Sequence, residues 1–283
     1  IGTHSSSAYR WKDGFLSYLL NSFVFSWAIL EDREGFVWTG AYGRGARRHY
    51  KDQLSILPSI GTHPFSFMED SHGRIWSGGD YGLFCFDHGV QYNYVPPSFA
   101  KSKFEWVISL AEDSKGAIWI GTKLGLLHRY QDGQFETVWK PDAGSEFPVC
   151  ALHFDPSGTL WMARYGFGLT RYESGHFSHF TQSEGLPAST INGILDDPRG
   201  YLWMTSKQGV YRISHEDFGL FEKRDLSGIF WQRFTEKHGL PSNECNGEQN
   251  QPSLCQTDDG RIWIPTQKGV GFIDPAEIDK HRA

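Results

Sequence analysis

The chain has 283 residues, 27 Lys plus Arg against 33 Asp plus Glu, and a formal net charge of -6, which excludes a basic nucleic-acid or anionic-membrane footprint. Aromatics reach 16% with 11 Trp, enough apolar surface for a large rigid core, and Gly (32) with Pro (13) stays below the level of low-complexity chains. No stretch reaches the 18 or so uninterrupted apolar residues that span a bilayer, and the opening IGTHSSSAYR lacks the charged start and apolar run of a signal peptide.

In chain order, IGTHSSSAYRWKDGF (1–15) matches IGTKLGLLHRYQDGQF (120–135), the second half of a repeat, so residues 1–18 are expected to be the outer strands of a partial blade. FLSYLLNSFVFSWAIL (15–30) is uncharged but broken by Ser17, Asn21, Ser22 and Ser26, and reads as two consecutive strands. Six units then share one phrase: EDREGFVWTG (31–40), EDSHGRIWSG (69–78), EDSKGAIWIG (112–121), FDPSGTLWMA (154–163), DDPRGYLWMT (196–205) and QTDDGRIWIP (256–265). Their tryptophans, at 38, 76, 119, 161, 203 and 263, are spaced by 38, 43, 42, 42 and 60 residues. A period near 42 with several short strands per unit signifies a β-propeller.

The third unit shows the pattern. WVISLAE (106–112) alternates as a strand, Asp113 to Gly116 is a turn, and AIWIGT (117–122) is a second strand. GLLHRY (125–130) is a third, and Asp132-Gly133 turns the chain into QFETVW (134–139). The Trp on each second strand is expected to fill the wedge between blades, a burial worth about 4–6 kcal/mol at most. The long fifth interval places extra residues between Ile213 and Phe234, where 214–228 suits a short helix. FTQSEGLP (180–187) and FTEKHGLP (234–241), each followed by an Asn (Asn192, Asn246), form a recurring connector in which Asn is expected to bond its own backbone.

The expected fold is therefore all-β: a seven-bladed propeller of four-stranded antiparallel blades, six encoded with their Trp and one partial, as one domain over 1–283. Within it, 19–275 holds the six repeats and 276–283 begins a linker. The alternative is a six-bladed ring in which residues 1–18 lend an outer strand to the last blade.

The sequence carries no H-E-x-x-H, G-x-S-x-G, Walker or Rossmann motif, so no catalytic residue, metal ligand or cofactor is expected. Asp217-Phe218-Gly219 spells a kinase triplet without the rest of that signature. The D-x-x-G loops offer about one carboxylate each, too few for calcium, and read as turns. Cys85 and Cys150 fall in apolar strands as buried thiols, while Cys245 and Cys255 are able to pair.

The remaining site is the propeller face. There the turns joining second to third strands (Tyr42, Arg44, Asp80, Tyr81, Lys123, Arg164, Tyr165, Lys207, Gln208, Lys268) meet the connectors between blades (His63, Trp106, Asn192, Glu244, Asn246). Aromatic faces stack on sugars and Arg forks match carboxylates, so Trp106, Tyr42, Arg44, Tyr81, Lys123, Arg164, Tyr165 and Lys207 are the candidate contacts for an acidic oligosaccharide or other small anion. Trp106, outside the repeated Trp position, is the preferred one. The competing reading is an ordinary polar loop end.

With D-x-x-G-x-x-W-x-G/T, GL-x-R-Y and the GLP connector along essentially the whole chain, the sequence resembles the two-component regulator propeller repeats. Residues 239–275 resemble the final blade of cyclase-type members. The resemblance implies the extracytoplasmic, periplasmic sensor region of a bacterial membrane-bound histidine kinase or diguanylate cyclase. In that family an immunoglobulin-like module, a membrane helix and an output domain follow, so any membrane attachment lies outside residues 1–283, and homodimers suit output domains that work in pairs. Ala163 and Pro265 replace the Gly after Trp, and Thr257 replaces Asp. A protein-interaction scaffold without a small ligand is the alternative, and a propeller lyase or glycoside hydrolase a further one, which would need paired carboxylates.

Overall fold

The computed structural model describes residues 7–280 apart from 13–14, 22–25, 42, 44, 51–52, 58–62, 97–104, 143, 224–227 and 248–250. Strands β1 (Ser7–Lys12) and β2 (Phe15–Asn21) pair antiparallel as a two-stranded sheet. Blade 1 is β3 (Ser26–Glu31), β4 (Val37–Ala41), β5 (Gly45–Tyr50) and β6 (Gln53–Leu57). Blade 2 is β7 (Pro64–Glu69), β8 (Ile75–Gly79), β9 (Gly82–Asp87) and β10 (Val90–Tyr94). Blade 3 is β11 (Val107–Glu112), β12 (Ile118–Thr122), β13 (Leu127–Gln131) and β14 (Gln134–Trp139). Blade 4 is β15 (Val149–Phe154), β16 (Leu160–Arg164), β17 (Gly168–Glu173) and β18 (His176–Phe180).

Blade 5 is β19 (Gly193–Asp196), β20 (Tyr201–Ser206), β21 (Gly209–Ser214) and β22 (Gln232–Phe234), with helix α1 (His215–Glu222) inserted before β22. Blade 6 has three strands, β23 (Cys255–Gln256), β24 (Ile262–Thr266) and β25 (Gly269–Ile273). Among the described residues β25 is followed by helix α2 (Pro275–Lys280), at whose start Asp274 Oδ1 accepts the Ala276 N–H at 2.9 Å.

The seven-bladed expectation is corrected to six blades. Strands β1 and β2 pair only with each other, and among the described residues they gather no Trp-bearing inner pair. The chain divides into two compact units: residues 1–149 with 249–252, holding blades 1 to 3, and 150–248 with 253–283, holding blades 4 to 6. Gln251 joins the first through its carbonyl oxygen, which accepts the Ile29 N–H at 3.1 Å.

The repeated phrase forms a clasp. Asp113 Oδ1 accepts the N–H of Lys115 at 2.9 Å and of Ala117 at 3.0 Å, and its Oδ2 accepts the Trp119 indole N–H at 2.9 Å. Asp32, Asp70, Asp155 and Asp197 hold Trp38, Trp76, Trp161 and Trp203 in the same way at 2.7–2.9 Å. In blade 6 the Thr257 hydroxyl replaces the carboxylate, 3.1 Å from Trp263 Nε1. Gly116 closes the turn at φ 78°, a conformation that side-chain-bearing residues rarely adopt. The indoles fill the wedges: Trp76 lies 5.7 Å from both Tyr94 of its own blade and Tyr130 of the next.

The Gly after the Trp is required by neighbouring backbone and side chains. A Cβ on Gly121 would sit 2.2 Å from Ser109 Oγ, on the facing strand, and 2.5 Å from Val149 Cγ1. Where Thr205 takes this position, the facing residue is Gly193 instead of a Ser or Ala, so bulk moves from one strand to the other. All four cysteines are free, so Cys245 and Cys255 form no disulfide, and Cys85, Cys150 and Cys245 are buried.

Candidate functional site

In both units the second-to-third-strand turns and the connectors meet through backbone hydrogen bonds. The Lys123 N–H donates to Trp106 O at 2.9 Å, Gly168 to Ser189 O at 2.7 Å, Asn192 to Thr205 O at 2.8 Å, and Gln267 to Glu244 O at 3.0 Å. The predicted loops therefore do share one end of their blades. Asn192 and Asn246 are structural, but they bond forward and not to their own turn: their Nδ2 groups donate to Cys245 O and Thr266 O, each at 3.2 Å.

In the first unit, Trp106 stands in a stack. Phe65 lies parallel to it at 5.1 Å, and His63 parallel to Phe65 at 6.4 Å. Lys123 Nζ lies 3.4 Å from the Trp106 ring centroid, a cation–π contact. His63 Nδ1 donates to Asp80 Oδ2 at 2.6 Å, fixing the turn that displays Tyr81, which is 59% exposed. Beside the stack Glu105 is 2% exposed. Burial pushes its carboxyl up, against hydrogen bonds from the Thr122 hydroxyl and the Leu124 N–H that pull it down. Phe65 and Glu105 escaped the sequence reading. Their signal was faint: an acid and an aromatic just before or within apolar inner strands.

In the second unit, Arg164 is 2% exposed, with its guanidinium carbon 4.2 Å from the Phe167 ring centroid. Phe167 in turn meets His179 edge-on at 5.7 Å. Arg164 is therefore held among aromatic rings, while Tyr165 and Lys207 next in the turns are exposed. Lys268 Nζ lies 3.6 Å from Glu236. Tyr42 and Arg44 lie outside the described residues. Thus Trp106 with Lys123 form one cluster, Tyr81 stands on the turn beside them, and Arg164, Tyr165 and Lys207 belong to the other unit.

Among the described residues, Asp70, His72 and Glu112 alone bring three ligand atoms within 4.8 Å of one another. Their oxygens are already engaged: Asp70 by Trp76 and the Arg74 guanidinium, Glu112 by the N–H and hydroxyl of Ser71. A cation there would displace Arg74, so the trio does not suit a metal. No helix among the described residues is long and apolar enough to cross a membrane.

Blades clasped by an Asp–Trp pair, with turns and connectors joined at one end, are those of a β-propeller. Residues 102–123 match the two component regulator propeller family. The fold of the chain is similar to the extracellular domain of a hybrid two-component system of B. thetaiotaomicron, with 20% identity and a TM-score of 0.77 over 100% of this chain and 38% of that one. A second such domain from that organism gives 19% identity and a TM-score of 0.52 over 94% of this chain and 38% of that chain. Virginiamycin B lyase of Staphylococcus aureus shares the fold at 16% identity and a TM-score of 0.66, over 87% of this chain and 83% of the lyase. A comparison with curated proteins returns no match.

Proposed function

We infer that the chain is the sensory propeller of a bacterial membrane-bound signalling protein, a histidine kinase or diguanylate cyclase, placed in the periplasm. It binds and does not turn over its ligand. The regulator-propeller match at 102–123 carries this reading, and the likeness to extracellular domains of hybrid two-component systems supports it. In each unit the turn-and-connector end is the recognition surface, and an oligosaccharide or other small anion is the ligand class. Tyr81 in the first unit and Tyr165 in the second are exposed to a ligand directly. Trp106 and Arg164 act by shaping that surface, because aromatic neighbours already engage both. The full-length protein works as a homodimer, since output domains of these classes operate in pairs.

Titration calorimetry with neutral and acidic oligosaccharides tests the reading. Heat from acidic sugars, lost in Lys123→Ala, supports it. Binding of neither class by the folded protein favours a scaffold that docks another protein.

A further inference from the structure

In blades 2 and 3, the last residue of the inner strand is a glutamate that reaches back to the preceding blade's aspartate turn. Glu69 accepts the Arg33 N–H at 2.9 Å, and Glu112 accepts the Ser71 N–H at 2.7 Å and the Ser71 hydroxyl at 2.6 Å. Between blades 4 and 5 both halves of this clasp have changed. Pro156 occupies the donor position and has no N–H. Asp196 occupies the glutamate position and is one methylene shorter. A cavity of about 430 Å³ opens there, lined by Pro156, Trp161, Arg171, Asp196, His215 and Phe218 among others.

Asp196, with its side chain 7% exposed, takes two imidazoles in place of the missing turn. His153 on β15 donates from Nε2 to Oδ2 at 2.8 Å, and His215, the first residue of α1, donates from Nε2 to Oδ1. The helix is capped by Ser214, whose hydroxyl oxygen accepts the Asp217 N–H at 3.0 Å. Its Phe218 lies 4.8 Å from Trp161 and 5.0 Å from Phe180. One carboxylate thus joins the inner strands of two blades to the inserted helix.

We propose that His153, Asp196 and His215 form a proton-binding latch, in which protonation of His215 tightens α1 on blades 4 and 5 and its deprotonation loosens it. An imidazolium bonded to a carboxylate is held more strongly than a neutral ring. The other charged groups nearby are already committed. Asp155 and Asp197, which also face His215, hold Trp161 and Trp203, and Arg171 pairs with Glu173 at 3.2 Å and Glu222 at 2.7 Å. The two histidines use separate oxygens of Asp196, and the three groups do not form a set of ligand atoms within 4.8 Å, so the ligand is the proton and not a metal ion.

The bond to Asp196 raises His215 above 6.5, against the opposing effect of burial. Burial raises Asp196, but the two imidazoles outweigh it and leave the carboxyl below 3.8. The His215 contribution is whole below about pH 6.5 and fades as pH rises through its raised value. At the acid end the latch fails only as Asp196 protonates, below 3.8. The inference is independent of the ligand read by the propeller face.

Hydrogen exchange of the α1 amides in the whole chain, corrected for intrinsic rate, tests it. Between about pH 5.5 and 8.5 their protection should fall roughly fivefold while that of β20 holds. His215→Gln, which keeps a donor and the fold, and Asp196→Asn should both flatten the profile. A pH-independent α1 in the wild type, or the same fall in both variants, would overturn the latch.

Discussion

Arg74 lies over Trp76, its guanidinium carbon 5.3 Å from the ring centroid, and donates through Nε to Asp70 at 2.6 Å. Blade 2 alone among blades 1 to 5 recruits its guanidinium this way. Across the strands, Trp38, Trp119, Trp161 and Trp203 face Arg48, Arg129, Arg171 and Arg212, whereas Trp76 faces Cys85. Arg74→Ala should therefore cost about 1.5–3 kcal/mol in urea unfolding. Adding Cys85→Arg should restore more than half of that loss; no recovery would show that the two positions are not equivalent.

The clasp makes a graded prediction. Asp113→Ala strands three donors, including the Trp119 indole, and should cost about 2–3 kcal/mol. Thr257→Ala removes one hydroxyl from an exposed turn and should cost under about 1 kcal/mol. Equal losses in paired denaturation curves would contradict a structural role for the carboxylate.

Most of the architecture was legible because it repeats. The phrase around Trp119 named turn, strand and packing position together, and the extra residues before Phe234 did become α1. Blade number was misread because residues 1–15 carry the phrase of outer strands, and only pairing shows that no inner strands join β1 and β2 among the described residues. The site was less legible. The position of Trp106 off the repeat was legible, but its stack on Phe65 joins two different blades and its Lys123 contact joins residues 17 apart across one strand pair. The Asp196 cluster draws on positions 153, 196 and 215, and no local spacing announces it.

Blade 5 supplies a rescue for blade 3. Gly121→Ala drives a methyl into Ser109 and Val149 and should cost about 1–3 kcal/mol. Combining it with Ser109→Gly, after the Gly193 and Thr205 arrangement, should recover part of the loss through the space that Ser109 vacates. Thermal denaturation of the single and double variants decides this, and a purely additive double variant would count against the exchange of bulk.

Two buried rings oppose the latch in their acid response. Burial pushes His128 down to about 4, and burial with the charge of Arg47 pushes His49 down to about 4. Such rings charge first in the unfolded chain, so the stability they bring is whole above pH 6.5 and is lost as pH falls towards 4. His128→Gln should reduce the acid-induced loss between these limits by about 1–3 kcal/mol, read from unfolding curves across that range. An unchanged acid slope would show that the ring is already solvated.

The sensory reading is tested most directly by the thermal stability of the purified chain against neutral and acidic oligosaccharides. A ligand at 100 times its dissociation constant should add about 2.7 kcal/mol. The account predicts a rise in Tm confined to acidic sugars and absent when Tyr81 and Lys123 are both replaced by Ala. A well-folded protein whose Tm moves with no member of the panel would contradict it.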